Sequence, residues 1–230
     1  DGFTLNPGDL SWEGLSGLGE LTVYERTPSE RILERSSEAE IILTNKTVLG
    51  SDTLKSLPRL KYVGVLATGY NVIDIKTADR LGIVVTNIPA YSTVSVAQLT
   101  FALILEFCFH AQRHSDSVMN GKWSGSIDFT FRDYQLIELA SKTLGIIGFG
   151  NIGKKVCDIA TAFGMNVIAA SRPGSDIKGS SYPERVELPE LLSRSDIVTI
   201  HCPLTPETAG MINIDTIRLM KKSALLINTS

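Results

Sequence analysis

Residues Lys142 to Gly153 read KTLGIIGFGNIG, and the fold class follows from them. Thr143 to Ile147 is a short, continuous apolar run of the kind that forms a strand buried on both faces. Glycines at 148, 150 and 153 then give G-x-G-x-x-G where the strand should pass into a helix. In a dinucleotide site Gly148 allows the tight turn, Gly150 lets the backbone approach a pyrophosphate, and Gly153 lets helix pack on strand. The helix N-terminus behind them offers unpaired N–H groups and a partial positive charge to the phosphates. The spacing alone is a weak signal. A strand before it and a helix after it turn it into the fingerprint of a doubly wound, parallel-sheet Rossmann domain.

Downstream, the sequence predicts helix Ile152 to Phe163 closed by Gly164, then a second strand at Asn166 to Ala170. A short helix at Leu188 to Ser193 follows, then a third strand at Asp196 to His201, a short helix at Thr216 to Met220 and a fourth strand at Ser223 to Ile227. Upstream, residues 1–91 alternate in the same way. Strands are expected at Leu21 to Tyr24, Ile41 to Thr44, Leu60 to Leu66 and Ile83 to Thr86. Helices are expected at Pro28 to Arg35, with Thr27 as N-cap, and at Asp74 to Leu81, ended by Gly82. Such alternation predicts a second, smaller parallel α/β domain. Asn87-Ile88-Pro89-Ala90 breaks the pattern, so the expected domains are 1–91 and 92–230.

From Ser92 to about Arg113 one helix is expected, apolar on nearly every face between Phe101 and Phe109. A helix of that kind is normally buried, here at an interface between domains or subunits. Its most apolar window, Val96 to Phe109, is too short to span a bilayer and contains Gln98 and Glu106. A net charge of −3 with no long basic run gives no nucleic-acid surface. The 3 cysteines, Cys108, Cys157 and Cys202, are widely spaced, which argues against a disulfide framework or a metal knuckle and for a cytoplasmic, metal-free protein. Both ends read as cut: Asp1 opens a loop without Met, and Ser230 follows directly on a strand.

The residue that reads the adenosine ribose should lie about 20 residues past the first glycine, at the end of the second strand. Ser171 stands 23 residues beyond Gly148, in Ala170-Ser171-Arg172-Pro173. An acid there would bind the 2′-hydroxyl of NAD. A small hydroxyl followed by Arg172 has no charge to repel a 2′-phosphate and a guanidinium to pair with it, which favours NADP(H) over NAD(H). The alternative is a solvated arginine, with NAD held by other contacts. His201-Cys202-Pro203 follows the third strand, at the carboxyl edge where ligands of such sheets bind. Without an acidic partner in the motif, His201 is read as positioning backbone beside the nicotinamide rather than as a general base. Cys202 is read as a small packed residue. In the first domain the stretch Gly64-Val65-Leu66-Ala67-Thr68-Gly69-Tyr70-Asn71 also follows a strand, and its small residues expose backbone N–H groups suited to a carboxylate.

Together these stretches resemble the D-isomer-specific 2-hydroxyacid dehydrogenases. The matching segments are LATGYNVID (66–74), GIVVTNIPAYSTVSVAQLTFALILE (82–106), LASKTLGIIGFGNIG (139–153), HCPLTPET (201–208) and LLINTS (225–230). Within that family the opening DGFTLNPGDLSW and the NKT at 45–47 look most like bacterial glycerate dehydrogenases, also called hydroxypyruvate reductases. The resemblance implies a flavodoxin-like substrate or lid domain before a cofactor domain, and a homodimer through the helix around 93–113. It implies substrate contacts from Ala67, Thr68 and Gly69, with Thr68 also near the cofactor. Cofactor contacts are implied for Gly148, Gly150, Asn151, Ile152, Gly153, Ser171, Arg172, His201, Cys202, Pro203, Thr208, Asn228, Thr229 and Ser230. The implied chemistry is hydride transfer between a nicotinamide and a small 2-hydroxy or 2-keto acid such as glycerate, hydroxypyruvate or glyoxylate.

The chain departs from the family pattern in two places. Ser141 replaces the glycine usual before the Lys-Thr-Leu-Gly strand. The family's catalytic Arg falls immediately after the position of Ser230 and its Glu–His pair later still, so these 230 residues are expected to hold a cofactor without turning over substrate. Two other readings stay open at this point. One is a non-catalytic NAD(H)-sensing protein on the same fold, and the other is a phosphoglycerate or formate dehydrogenase.

Overall fold

The structure, a computed structural model, describes residues 1–172 and 182–230. Pro173, the last residue of the expected ribose-reading segment, lies outside them. The chain forms two compact units, Asp1–Tyr91 and Ser92–Ser230.

The first unit carries α1 (Glu13–Ser16), α2 (Ile32–Ser36), β1 (Ile41–Thr44), α3 (Ser51–Lys55), β2 (Tyr62–Val65), α4 (Ile75–Arg80) and β3 (Val84–Asn87). Its strands form a parallel sheet in the order β1-β2-β3. The core gathers Leu49, Leu54 and Leu57 with Val63 and Val65 of β2. Asp74 caps α4 by accepting from the Thr77 amide at 2.9 Å. Two expectations fail here. Leu21 to Tyr24 is not a strand: instead of a ladder, the Tyr24 and Glu25 carbonyls accept from the Gly2 and Phe3 amides at 2.8 and 3.2 Å, where the chain turns in a 3₁₀ turn. Thr27 is not an N-cap, because the helix opens at Ser29 as a 3₁₀ turn and the Thr27 hydroxyl accepts instead from Arg35 at 3.0 Å. The short helix α3 was not legible.

The second unit begins with α5 (Thr93–Phe109) and α6 (Ala111–Met119). The single helix expected across 92–113 is in fact two, because His110 takes a left-handed conformation (φ 49°) and the chain bends there by 55°. Then come β4 (Thr143–Ile147), α7 (Asn151–Ala162), β5 (Asn166–Ala170), β6 (Glu184–Val186), α8 (Leu188–Arg194), β7 (Ile197–Ile200), α9 (Ile214–Ile217) and β8 (Leu225–Asn228). All five strands are parallel, in the order β6-β5-β4-β7-β8. Counted within this domain that is 3-2-1-4-5, the doubly wound order, with its switch point between β4 and β7. The sequence reading had four strands and missed β6. Three residues with two charges at a sheet edge carry almost no periodic signal.

Alternation along the strands divides the core. Leu144, Ile146, Val167, Ala169 and Ile197 pack against Ala97, Phe101 and Ile104 of α5 and Val156 and Ala160 of α7. Ile147, Ile168, Val198 and Ile200 pack on the other face against Leu191 and Leu192 of α8. The apolar helix α5 is thus only half buried. Ala97, Thr100, Phe101, Ile104 and Cys108 face the sheet, while Leu99, Leu103 and Phe107 line an exposed face. At the amino ends of the strands the Asp196 carboxylate accepts from the Thr143 amide and from Lys221, both at 2.8 Å, tying β4, β7 and β8 together.

Candidate functional site

The turn between β4 and α7 has the steric signature the fingerprint demands. Gly148 has φ +92°, and a Cβ on it would lie 2.5 Å from the Cys202 amide nitrogen and 2.6 Å from the His201 carbonyl carbon. A Cβ on Gly153 would run into the Gly148 carbonyl oxygen. Gly150, the N-cap of α7, differs from both: a Cβ there meets nothing within 4 Å. The protein's own packing therefore requires Gly148 and Gly153 and makes no demand at Gly150, where the open side faces whatever approaches the helix N-terminus. Asn151 and Ile152 form the first turn of α7, Asn151 exposed and Ile152 half buried.

The remaining expected residues of this domain follow the neighbouring strand ends. Ser171 and Arg172 come after β5, His201, Cys202 and Pro203 after β7, and Thr229 and Ser230 after β8, with Asn228 closing β8. Since β5, β4, β7 and β8 are adjacent, these loops lie side by side along the carboxyl edge of one sheet. The Ser171 amide donates to the Val186 carbonyl at 2.8 Å, and its buried hydroxyl has no hydrogen-bond partner among the described residues. Arg172 is exposed. The His201 amide continues the ladder to Ile147 at 2.7 Å, and neither ring nitrogen has a partner among the described residues. Burial pushes the His201 imidazole down to about 4, so it is neutral at pH 7. Among the described residues no carboxylate bonds either ring nitrogen. Burial raises the Cys202 thiol, which leaves it a poor nucleophile.

Four residues make side-chain contacts along this edge. Thr208 donates to the Pro203 carbonyl at 2.7 Å and accepts from the Thr205 amide at 2.8 Å, so its hydroxyl is committed to its own loop. Asn228 accepts from the Ser230 amide at 3.0 Å, and the Ser230 hydroxyl donates to the Ile200 carbonyl at 3.1 Å. Thr229 approaches Thr100 of α5, hydroxyl to hydroxyl, at 3.5 Å.

In the first unit Ala67, Thr68 and Gly69 follow β2. Asn87 donates to the Thr68 carbonyl at 2.8 Å, and the Thr68 hydroxyl donates to Ile88 at 3.2 Å. These bonds fasten the loop to the end of β3, while the Thr68 and Gly69 amides donate to no protein acceptor among the described residues. Among the described residues no group of three or more His, Cys, Asp or Glu side chains gathers as a metal site, and no single helix is long and apolar enough to cross a membrane.

The family model described as D-isomer specific 2-hydroxyacid dehydrogenase, NAD binding domain, matches residues 101–230. The chain belongs to this family. Over its whole length it is 46% identical to a hydroxypyruvate reductase of Blautia hydrogenotrophica, covering 72% of that protein. It is 40% identical to a glycerate dehydrogenase of Methylorubrum extorquens over 90% of the chain and 64% of that protein. Among solved structures it is similar to an acyclic imino acid reductase in complex with NADPH and D-Arg, with TM-score 0.81 and 30% identity over 96% of this chain and 70% of that one. Residues 101–230 are thus a nicotinamide dinucleotide-binding domain within a 2-hydroxyacid oxidoreductase family.

One feature of this dehydrogenase domain escaped the sequence reading. The Arg185 guanidinium of β6 lies over the Phe149 ring, 4.3 Å from its centroid, and donates to the Ala170 carbonyl at 3.5 Å. Phe149 is the residue between the first two glycines, and Ala170 is the last residue before Ser171. Only recognising β6 and its pairing with β5 could have placed Arg185 there.

Proposed function

We propose that the protein is an NADP(H)-preferring reductase of small 2-keto acids of the hydroxypyruvate and glyoxylate type, reversibly forming D-2-hydroxy acids. The observation that carries the cofactor preference is Ser171. Where an acid would hold the ribose 2′-hydroxyl and repel a phosphate, this chain has a buried hydroxyl without a partner among the described residues, followed by an exposed arginine. The substrate class is supported by the likeness to a hydroxypyruvate reductase and a glycerate dehydrogenase, and the cofactor by the likeness to an acyclic imino acid reductase in complex with NADPH.

The residues present fit a dinucleotide, because the space beside Gly150 is open and the first-turn amides of α7 point to it. When bound, the nicotinamide supplies or accepts a hydride. The chain's own residues would bind and orient. Gly148, Gly150, Asn151, Ile152 and Gly153 would take the pyrophosphate, Ser171 and Arg172 the adenosine ribose. The loop backbones at His201, Cys202 and Pro203, shaped by Thr208, and the strand end Asn228-Thr229-Ser230 would bound the nicotinamide side. Asp1–Tyr91 would be the substrate domain, with the amides of its loop Ala67-Thr68-Gly69 receiving the substrate carboxylate. The exposed apolar face of α5 supports a homodimer, and three unpaired cysteines support a cytoplasmic setting.

The test is steady-state kinetics of the full-length protein with hydroxypyruvate and glyoxylate against NADPH and NADH. A kcat/KM at least tenfold higher with NADPH is expected. A tenfold preference for NADH removes the cofactor assignment alone. Dinucleotide binding without turnover of any 2-keto acid would replace the enzyme by a nucleotide sensor.

A further inference from the structure

We propose that Arg185 is a second arm of the site for the cofactor's 2′-phosphate, closing on it from β6 while Arg172 closes from the loop after β5. The inference rests on the NADP(H) reading above.

Register places Arg185 on the right face. It pairs with Ala169 across the β5–β6 ladder, and Ala169 belongs to the core beneath α5 and α7. Its neighbour Val186 points to the opposite face, against α8. Glu184 also turns to that opposite side, where both its carboxylate oxygens accept from Arg194 at 2.7 and 3.0 Å. The nearest acid in sequence is therefore taken. Among the described residues no carboxylate comes within ion-pair distance of Arg185, although it is half buried.

The guanidinium is nevertheless held in a fixed attitude. Stacking on Phe149 sets its plane, and the bond to Ala170 uses one of its five N–H donors. The other four have no partner among the described residues. Both anchors belong to the ribose end of the site: Phe149 lies within the glycine turn, and the Ala170 carbonyl adjoins Ser171. A half-buried cation with no counter-charge among the described residues, held on the carbonyl that precedes Ser171, favours an anion rich in oxygen acceptors. A phosphomonoester on the ribose supplies that charge. The bare 2′-hydroxyl of NAD does not.

The test separates the phosphate from the rest of the nucleotide. Isothermal titration of the full-length protein with 2′,5′-ADP and with 5′-AMP measures the preference due to the phosphate alone. The wild-type protein should prefer 2′,5′-ADP. Arg185→Gln should cut that preference by about tenfold while leaving 5′-AMP affinity within about twofold. Arg185→Lys, which keeps the charge and loses the planar fork, should recover part of it, and it keeps the test open should the glutamine variant fail to fold. An unchanged preference in Arg185→Gln overturns the proposal while the NADP(H) reading stands. An equal loss for both nucleotides overturns it too, since that is what a merely structural arginine would give. A wild-type protein indifferent to the 2′-phosphate shows that the NADP(H) reading itself has failed.

Discussion

Gly148 and Cys202 meet without room for a methyl group between them: a Cβ on the first would lie 2.5 Å from the amide nitrogen of the second. The glycine turn and the loop after β7 are therefore one packed unit. Gly148→Ala, which adds left-handed strain to that clash, should destabilise the protein by about 2–5 kcal/mol. Gly150→Ala meets nothing within 4 Å and has φ −83°, so its stability should stay near wild type while dinucleotide affinity falls. Chemical denaturation and nucleotide titration of both variants check this. Wild-type affinity in Gly150→Ala would remove the pyrophosphate from that position.

Ser141 has φ 65°, in the left-handed region that favours glycine. A side chain in that region is strained, and the backbone is held there by the Ser141 amide donating to Gly164 at 2.9 Å and the Ser141 carbonyl accepting from Asn166 at 3.0 Å. Ser141→Gly should stabilise the domain by about 0.5–1 kcal/mol, read as a higher urea midpoint at unchanged slope. A lower midpoint would mean that the serine was fitted to its place.

The His201 imidazole is held down to about 4, from an ordinary value of 6.5, by burial. Between those two values the unfolded chain binds the proton and the native chain does not, so stability falls as pH drops through this window. His201 adds a slope of up to about 1.4 kcal/mol per pH unit. Replacing it with Gln should flatten the stability profile between pH 6.5 and 4 and leave it unchanged above pH 7. An acid limb as steep in the variant as in the wild type would assign that limb to other groups.

Leu99, Leu103 and Phe107 repeat every fourth residue along α5 and are 52%, 43% and 50% exposed. Leu103→Lys should shift the full-length protein from dimer to monomer in sedimentation velocity without lowering the nucleotide affinity of the separated subunit. A wild-type protein that sediments as a monomer at micromolar concentration removes the interface from this helix.

The sequence made the second domain readable because its signals are redundant. Strand β4, the three glycines and helix α7 each support the others, and the apolar runs of β5 and β7 bury on both faces. The first domain was read less well. Leu21 to Tyr24 has the alternation of a strand, yet a strand needs a partner, and its carbonyls bond a turn instead. The break at His110 was hidden because nothing in Phe-Cys-Phe-His-Ala-Gln marks a left-handed residue. At the site, Ser171 and Arg172 could be found by counting from Gly148. Arg185 could not, since its place depends on a three-residue edge strand whose pairing is decided by β5.

The two ends of the large sheet are finished differently. At the amino end, Asp196 fastens three strands through the Thr143 amide and Lys221. At the carboxyl end, the Ser171 hydroxyl and both His201 ring nitrogens have no partner among the described residues. Heat should therefore open this domain from its binding edge first, and a nucleotide seated there would act as a missing rivet. At a hundredfold excess over its dissociation constant, such a ligand adds about 2.7 kcal/mol to the folded state. The melting temperature of the domain then becomes a gauge of how much dinucleotide surrounds it.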